Sequence, residues 1–131
     1  MVIEGAHVVP GFFDLVPYEG RVLAVPVVVT VEEEDLHRSH FSVRSAEPGT
    51  RPYERYMAGF QNIRRVQKYI KSQALTHNVP VIPNYSLDQS LSAVIDLVVD
   101  RATEHLQERR REGSRGGHAA KRPNQLEASR R

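Results

Sequence analysis

The sequence predicts an α/β fold: a small parallel sheet of about three strands, two long helices and a disordered basic tail. Three observations carry this reading. The run VLAVPVVVTV, Val22–Val31, is apolar and β-branched, as suits a strand covered on both faces. Two later stretches, Tyr53 to about Leu75 and Ser86 to Arg111, repeat apolar residues at helical spacing. Between them lies the short apolar run NVPVIPN, residues 78–84. Strands separated by helices imply parallel pairing through right-handed crossovers.

Taken in order, Val2–Ile3 reads as the end of a buried strand. It releases Glu4 and His7 into a Gly-containing turn that ends at Pro10–Gly11. Ligands of open α/β sheets bind outside the carboxyl ends of the strands, so both side chains are candidates. In Val22–Val31, Pro26 removes one ladder donor. EEEDLHRSHF, residues 32–41, starts a helix with acidic groups in the first turn, where the helix dipole favours them, and Thr30 is a candidate cap. Pro48, Gly49 and Pro52 make residues 42–52 a loop. In the first long helix Tyr56, Phe60, Ile63, Val66 and Ile70 form one stripe. Arg64, Arg65, Lys68 and Lys71 mostly fall off it and read as a solvated face. Ser86 caps the second long helix, with Asp88 in its first turn and arginines in its last. Residues 113–131 are polar, Gly-containing and basic, so the chain divides into a domain over 1–112 and a disordered tail over 113–131. No internal repeat is visible.

At 131 residues the chain suffices for one small domain. Its net charge of +2 hides an uneven distribution. Residues 1–36 hold seven acidic groups and one basic one; residues 38–71 hold eight basic and two acidic; residues 109–131 again hold eight basic and two acidic. Basic blocks seek phosphate, on a metabolite, a nucleotide, a nucleic acid or a lipid. Cysteine is absent, so neither a disulfide nor a thiolate metal site forms. No apolar run approaches the ~20 residues of a membrane-spanning helix. A basic region followed by an apolar core is also missing from the first residues, so a cytoplasmic protein is expected. His37 and His40, with Glu33 and Glu34 just before them, have metal-compatible spacing, although histidine pairs so spaced are more often not ligands.

Four segments carry a resemblance: VIEGAHVVPGF (2–12), VPVVVTVEEEDLHRSHFSVRS (25–45), RYMAGFQNIRRVQKYI (55–70) and VPVIPN (79–84). Together they resemble the C-terminal half of 2-phosphoglycerate kinase, a P-loop kinase, over roughly residues 2–105. The resemblance implies a partial P-loop-kinase-like sheet and ATP- and Mg²⁺-dependent phosphoryl transfer to 2-phosphoglycerate or a similar small phosphorylated acid. One departure is plain. The motif GxxxxGK[ST], whose amides and lysine hold the nucleotide phosphates, is absent, since none of the eight glycines precedes a lysine. By the resemblance the first strand, the phosphate loop and its helix lie upstream. The chain alone is then expected to be inactive, to bind MgATP weakly, and to self-associate through exposed sheet edges.

The resemblance also assigns candidate residues. Glu4 matches the acidic residue that holds Mg²⁺ through water or accepts a proton, and His7 faces the acceptor. Arg38, Arg44, Arg51 and Arg55 flank the Pro/Gly loop as lid arginines, the first two catalytic and the others substrate-binding. Asn84 lies where the adenine is contacted, and Asp88 follows it. Each has a plainer reading: a solvated carboxylate, a surface histidine, a basic face, a helix cap. Two other function classes stay open, a non-catalytic remnant and a basic module that binds nucleic acid or a partner. Against nucleic acid, no aromatic interleaves the basic tail and no recognised motif is present.

Overall fold

The computed structural model describes residues 1–13 and 22–116. The basic residues beyond 116 lie outside the described residues. Six elements follow one another: β1 (Val28–Thr30), α1 (Glu34–Ser45), α2 (Tyr53–Ala58), α3 (Phe60–Thr76), β2 (Val81–Pro83) and α4 (Leu87–Gly116). β1 and β2 pair in parallel, with Val28 opposite Val81 and Thr30 opposite Pro83. The three helices between the strands form the crossover. α3 lies against both strands, α4 against β2, and α1 against α2.

The α/β class and the parallel pairing agree with the sequence, but among the described residues the sheet has two strands, not three. Val2 and Ile3 are exposed and belong to no strand. The chain there turns at Gly5, where the Val8 N–H donates to the Gly5 carbonyl at 3.0 Å. It docks through Val9, which is buried, and through Gly11. Gly11 has a φ of 85° and sits so close to the His77 ring that a Cβ would collide with it. This ties the N-terminal segment to the end of α3.

Of the ten-residue apolar run, only Val28–Thr30 is strand. The reason is proline. The ladder opens with the Val28 N–H donating to the Pro80 carbonyl at 2.9 Å and closes with the Asn84 N–H donating to the Thr30 carbonyl at 2.7 Å. Pro80 and Pro83 bring no N–H to β2, and Pro26 brings none to the run before β1.

The first long helix is also divided. Gly59 takes φ −101° and ψ 4°, ending α2 and opening α3. Its N–H donates to the Tyr56 carbonyl at 3.2 Å, and its carbonyl accepts the N–H groups of Asn62 and Ile63, both at 3.0 Å. Glycine is the poorest helix former after proline, so the break falls there. It lets Phe60, 2% exposed, join Val9, Val31 and Ala74 among the few buried apolar residues. Phe60 also meets the edge of the His37 ring at 5.5 Å, while His37 stacks on Phe41 at 5.1 Å and Phe41 on Tyr56 at 4.6 Å.

Caps follow the sequence at one end and depart from it at the other. The Ser86 hydroxyl accepts the Gln89 N–H at 3.3 Å and so caps α4, as read from the sequence. Thr30 does not cap α1; Glu33 occupies that position without a side-chain bond, and the Thr30 hydroxyl turns to Glu32. α4 runs to Gly116, four residues past the boundary drawn at 112.

Candidate functional site

β1 and β2 end side by side, and polar side chains gather at their carboxyl ends. Thr30, 1% exposed, donates its hydroxyl to Glu32 Oε1 at 2.7 Å. The Lys71 ammonium donates to the same oxygen at 2.8 Å. Arg64 donates one guanidinium nitrogen to the Val31 carbonyl and the other to the Glu32 carbonyl at 2.8 Å. Gln67 makes two bonds to one residue, Nε2 donating to the Val31 carbonyl at 2.9 Å and Oε1 accepting the Val31 N–H at 3.0 Å. Across the strand pair, Ser90 Oγ lies 2.8 Å from Asn84 Oδ1.

Arg64, Gln67 and Lys71 stand three and four residues apart on α3, which puts them on one face. That face holds the turn from β1 into α1. The reading of Arg64 and Lys71 as solvated is therefore corrected: both are half-buried and spend their donors on this turn. Arg65 and Lys68 are exposed, as expected. Sequence reasoning missed the role of Glu32, Gln67 and Lys71. The signal was the spacing of three long donors on the helix that crosses over from β1.

The cluster shifts two titrations. Hydrogen bonds from Lys71 and then Thr30 hold the Glu32 carboxyl below its usual range. Burial, followed by the nearby charges of Arg64 and His40, lowers His37. His37 Nδ1 lies 3.4 Å from Arg64 Nη1, an approach that suits a neutral ring accepting from the guanidinium. Both shifts have the same consequence in acid. The unfolded chain binds a proton at His37 before the folded one does, so stability falls as pH drops below the ordinary histidine range, about 6.5. Below the ordinary carboxylate range the Glu32 contribution is lost in turn. Urea midpoints are expected to fall between about pH 7 and 5 in the parent chain and to flatten in His37→Phe. A parent midpoint that stays level over that range refutes this account.

The residues singled out from the resemblance do not converge into one cluster. Glu4 and His7 are exposed on the N-terminal segment. Arg38 spans the α1–α2 junction: it pairs with Glu34 at 3.6 Å, points one nitrogen at Met57 Sδ at 3.5 Å, and lies 4.0 Å over the Phe60 ring. Arg44, Arg51 and Arg55 are exposed around the loop that joins α1 to α2. That loop is closed by Thr50, whose hydroxyl lies 2.9 Å from the Arg44 carbonyl and 2.8 Å from that of Glu47, and by Gly49 at φ 82°. Asn84 sits at the strand ends beside Thr30. Among the described residues no three histidine or acidic side chains gather as a metal site would require, so His37 and His40 form no such group with Glu33 and Glu34. A cavity of about 640 Å³ is apolar, lined by Ile3, Phe13, Val25, Val94 and Leu97 among others, and none of the candidate residues borders it. Among the described residues no helix is long and apolar enough to cross a membrane.

A short parallel α/β unit with charged groups at its strand ends and a ring of arginines at one crossover loop is the class this geometry defines. Comparison with known proteins narrows it. The chain is 40% identical over 98 residues to the 2-phosphoglycerate kinase of Methanothermobacter thermautotrophicus, covering 72% of this chain and 31% of that protein. It is 32% identical over 101 residues to the enzyme of that name from Methanococcus maripaludis, covering 77% and 32%. It is 35% identical over 94 residues to that of Thermococcus kodakarensis, covering 72% and 30%. The resemblance to 2-phosphoglycerate kinase read from the sequence is thus real, and it concerns part of those proteins: the chain spans about a third of the length of the curated relatives it matches. No family model matches the chain, and no solved structure does.

Proposed function

We propose that this chain supplies the acceptor side of a 2-phosphoglycerate kinase-like phosphotransferase. The observation that carries the reading is the 40% identity over 98 residues to a protein of that name. The exposed arginines support it. Arg44, Arg51 and Arg55 stand exposed around one loop, accessible to a phosphorylated acid. On this reading Arg44 neutralises the transferred phosphoryl group, and Arg51 and Arg55 hold the acceptor, with His7. Arg38 acts from the α1–α2 junction, where it is already anchored on Glu34 and Phe60.

The residues at hand do not fit a nucleotide triphosphate. No glycine-rich loop ends in lysine, and the amides and lysine that would hold the β- and γ-phosphates have no counterpart in the sequence. A segment other than this chain is proposed to hold ATP. Glu4 as a carrier of Mg²⁺ through water and Asn84 as a neighbour of the adenine belong to that completed assembly.

The test is a transplant. The 98 matched residues of the Methanothermobacter protein are replaced by those of this chain, and ADP release is followed with and without 2-phosphoglycerate. The hybrid is expected to turn over only with the acceptor, and Arg51→Ala is expected to raise KM for it by about tenfold or more, the loss of one charged hydrogen bond. A folded hybrid that binds ATP yet shows no acceptor-dependent turnover defeats the proposal.

A further inference from the structure

α4 has two apolar faces, and the rest of the described chain covers one. Ser90 is buried and Val94 and Leu97 are half-buried on the side that meets β2 and the cavity. Leu91, Ile95, Val99 and Leu106 are more than half exposed, and Val98, at the margin between this face and the cavity, is 44% exposed. Together with Ala102 they fall on one arc about 100° wide, the width of stripe that an amphipathic helix buries. From Leu91 to Leu106 the stripe runs about 23 Å along the helix.

We infer that this face binds the same face of a second copy of the chain, with the two helices antiparallel. The stripe is symmetric about the point between Val98 and Val99. Centred there, an antiparallel pair sets Val98 against Val99 of the other copy, Ile95 against Ala102, and Leu91 against Leu106. Large meets small in the middle layer, and leucines close both ends. The charges obey the same symmetry. Asp88, in the first turn, meets Arg109 near the other end. A parallel pair would set Asp88 on Asp88 and Arg109 on Arg109, which repel. Antiparallel helices also oppose their dipoles favourably. The contact is isologous, so it closes at two copies rather than growing.

The chain contains no cysteine, which makes the geometry directly readable. Size-exclusion chromatography with light scattering on the full chain is expected to show a dimer. Ile95→Glu is expected to raise its dissociation constant about tenfold or more, because each copy then buries an unpaired charge. Single-cysteine variants give the orientation. Val99→Cys lies at the axis and is expected to form a disulfide with itself. Leu91→Cys is expected to cross-link poorly with itself and well when mixed with Leu106→Cys. A chain that stays monomeric, a dimer indifferent to Ile95→Glu, or Leu91→Cys joining itself as readily as Val99→Cys each overturns the inference; the first of these would leave the stripe to a different partner.

Discussion

Arg64→Met is expected to lower the stability of the chain by about 3 kcal/mol, and Arg64→Lys to recover little of it. Two guanidinium nitrogens bridge the carbonyls of Val31 and Glu32, and one of them also lies near the His37 ring. Removing the side chain leaves two carbonyls without their charged donor where β1 turns into α1. A hydrogen bond from a charged group is worth about 1.5–3 kcal/mol, and the Glu32 carbonyl is left without its donor, while the Val31 carbonyl keeps the one from Gln67. Lysine offers one point charge where a planar fork reaches two acceptors. Small domains hold about 5–15 kcal/mol in all, so this one change is a large share. Urea denaturation followed by circular dichroism measures it. A midpoint that moves by less than the equivalent of about 0.5 kcal/mol, the ordinary range of surface substitutions, contradicts the account.

Phe60→Ala is expected to cost more, about 3–5 kcal/mol, the usual penalty for emptying a buried phenylalanine site. Phe60 is 2% exposed, carries Arg38 on its face, and meets the rings of His37 and Phe41. It therefore joins α1 to the start of α3. Few apolar side chains are fully buried among the described residues, and the others are smaller. Phe60→Leu is expected to keep most of the stability, since much of the volume is refilled. The same denaturation series decides it: a Phe60→Ala chain as stable as Phe60→Leu would show that the pocket collapses without cost.

What the sequence disclosed was local. The start of α4 was legible because a serine cap and an acidic first turn are chemical signals within four residues. β2 was legible because prolines bracket a short apolar run. The length of β1 was not, because the prolines that limit its ladder sit on the partner strand as well as on its own side. Val2–Ile3 looks like a strand because a pair of apolar residues has no period to contradict it; burial falls instead on Val9, seven residues after Val2. Gly59 was read through, since the apolar stripe of Tyr56, Phe60 and Ile63 continues across it. The row of Arg64, Gln67 and Lys71 was misjudged for a different reason. Side chains with long polar ends resemble a solvated face until the backbone they serve is in place, and that backbone lies more than thirty residues earlier in the chain. The exposed arginines and Glu4 carry their assignment from family resemblance, and solvent exposure alone does not distinguish a binding group from a solubilising one.

Gln67 does to Val31 what a neighbouring peptide unit would. Its carboxamide donates to the carbonyl and accepts from the N–H of the same residue, at 2.9 and 3.0 Å. In a parallel ladder alternate residues turn their backbone groups to opposite sides. Val28 and Thr30 turn theirs to β2, so Val29 and Val31 turn theirs away from it. With Val31 saturated by an amide surrogate, a strand laid along that side finds its last docking point at Val29. The side chain thus acts as a built-in register stop: it fixes where any added strand must end, and it does so from a helix, without spending a residue of the sheet itself.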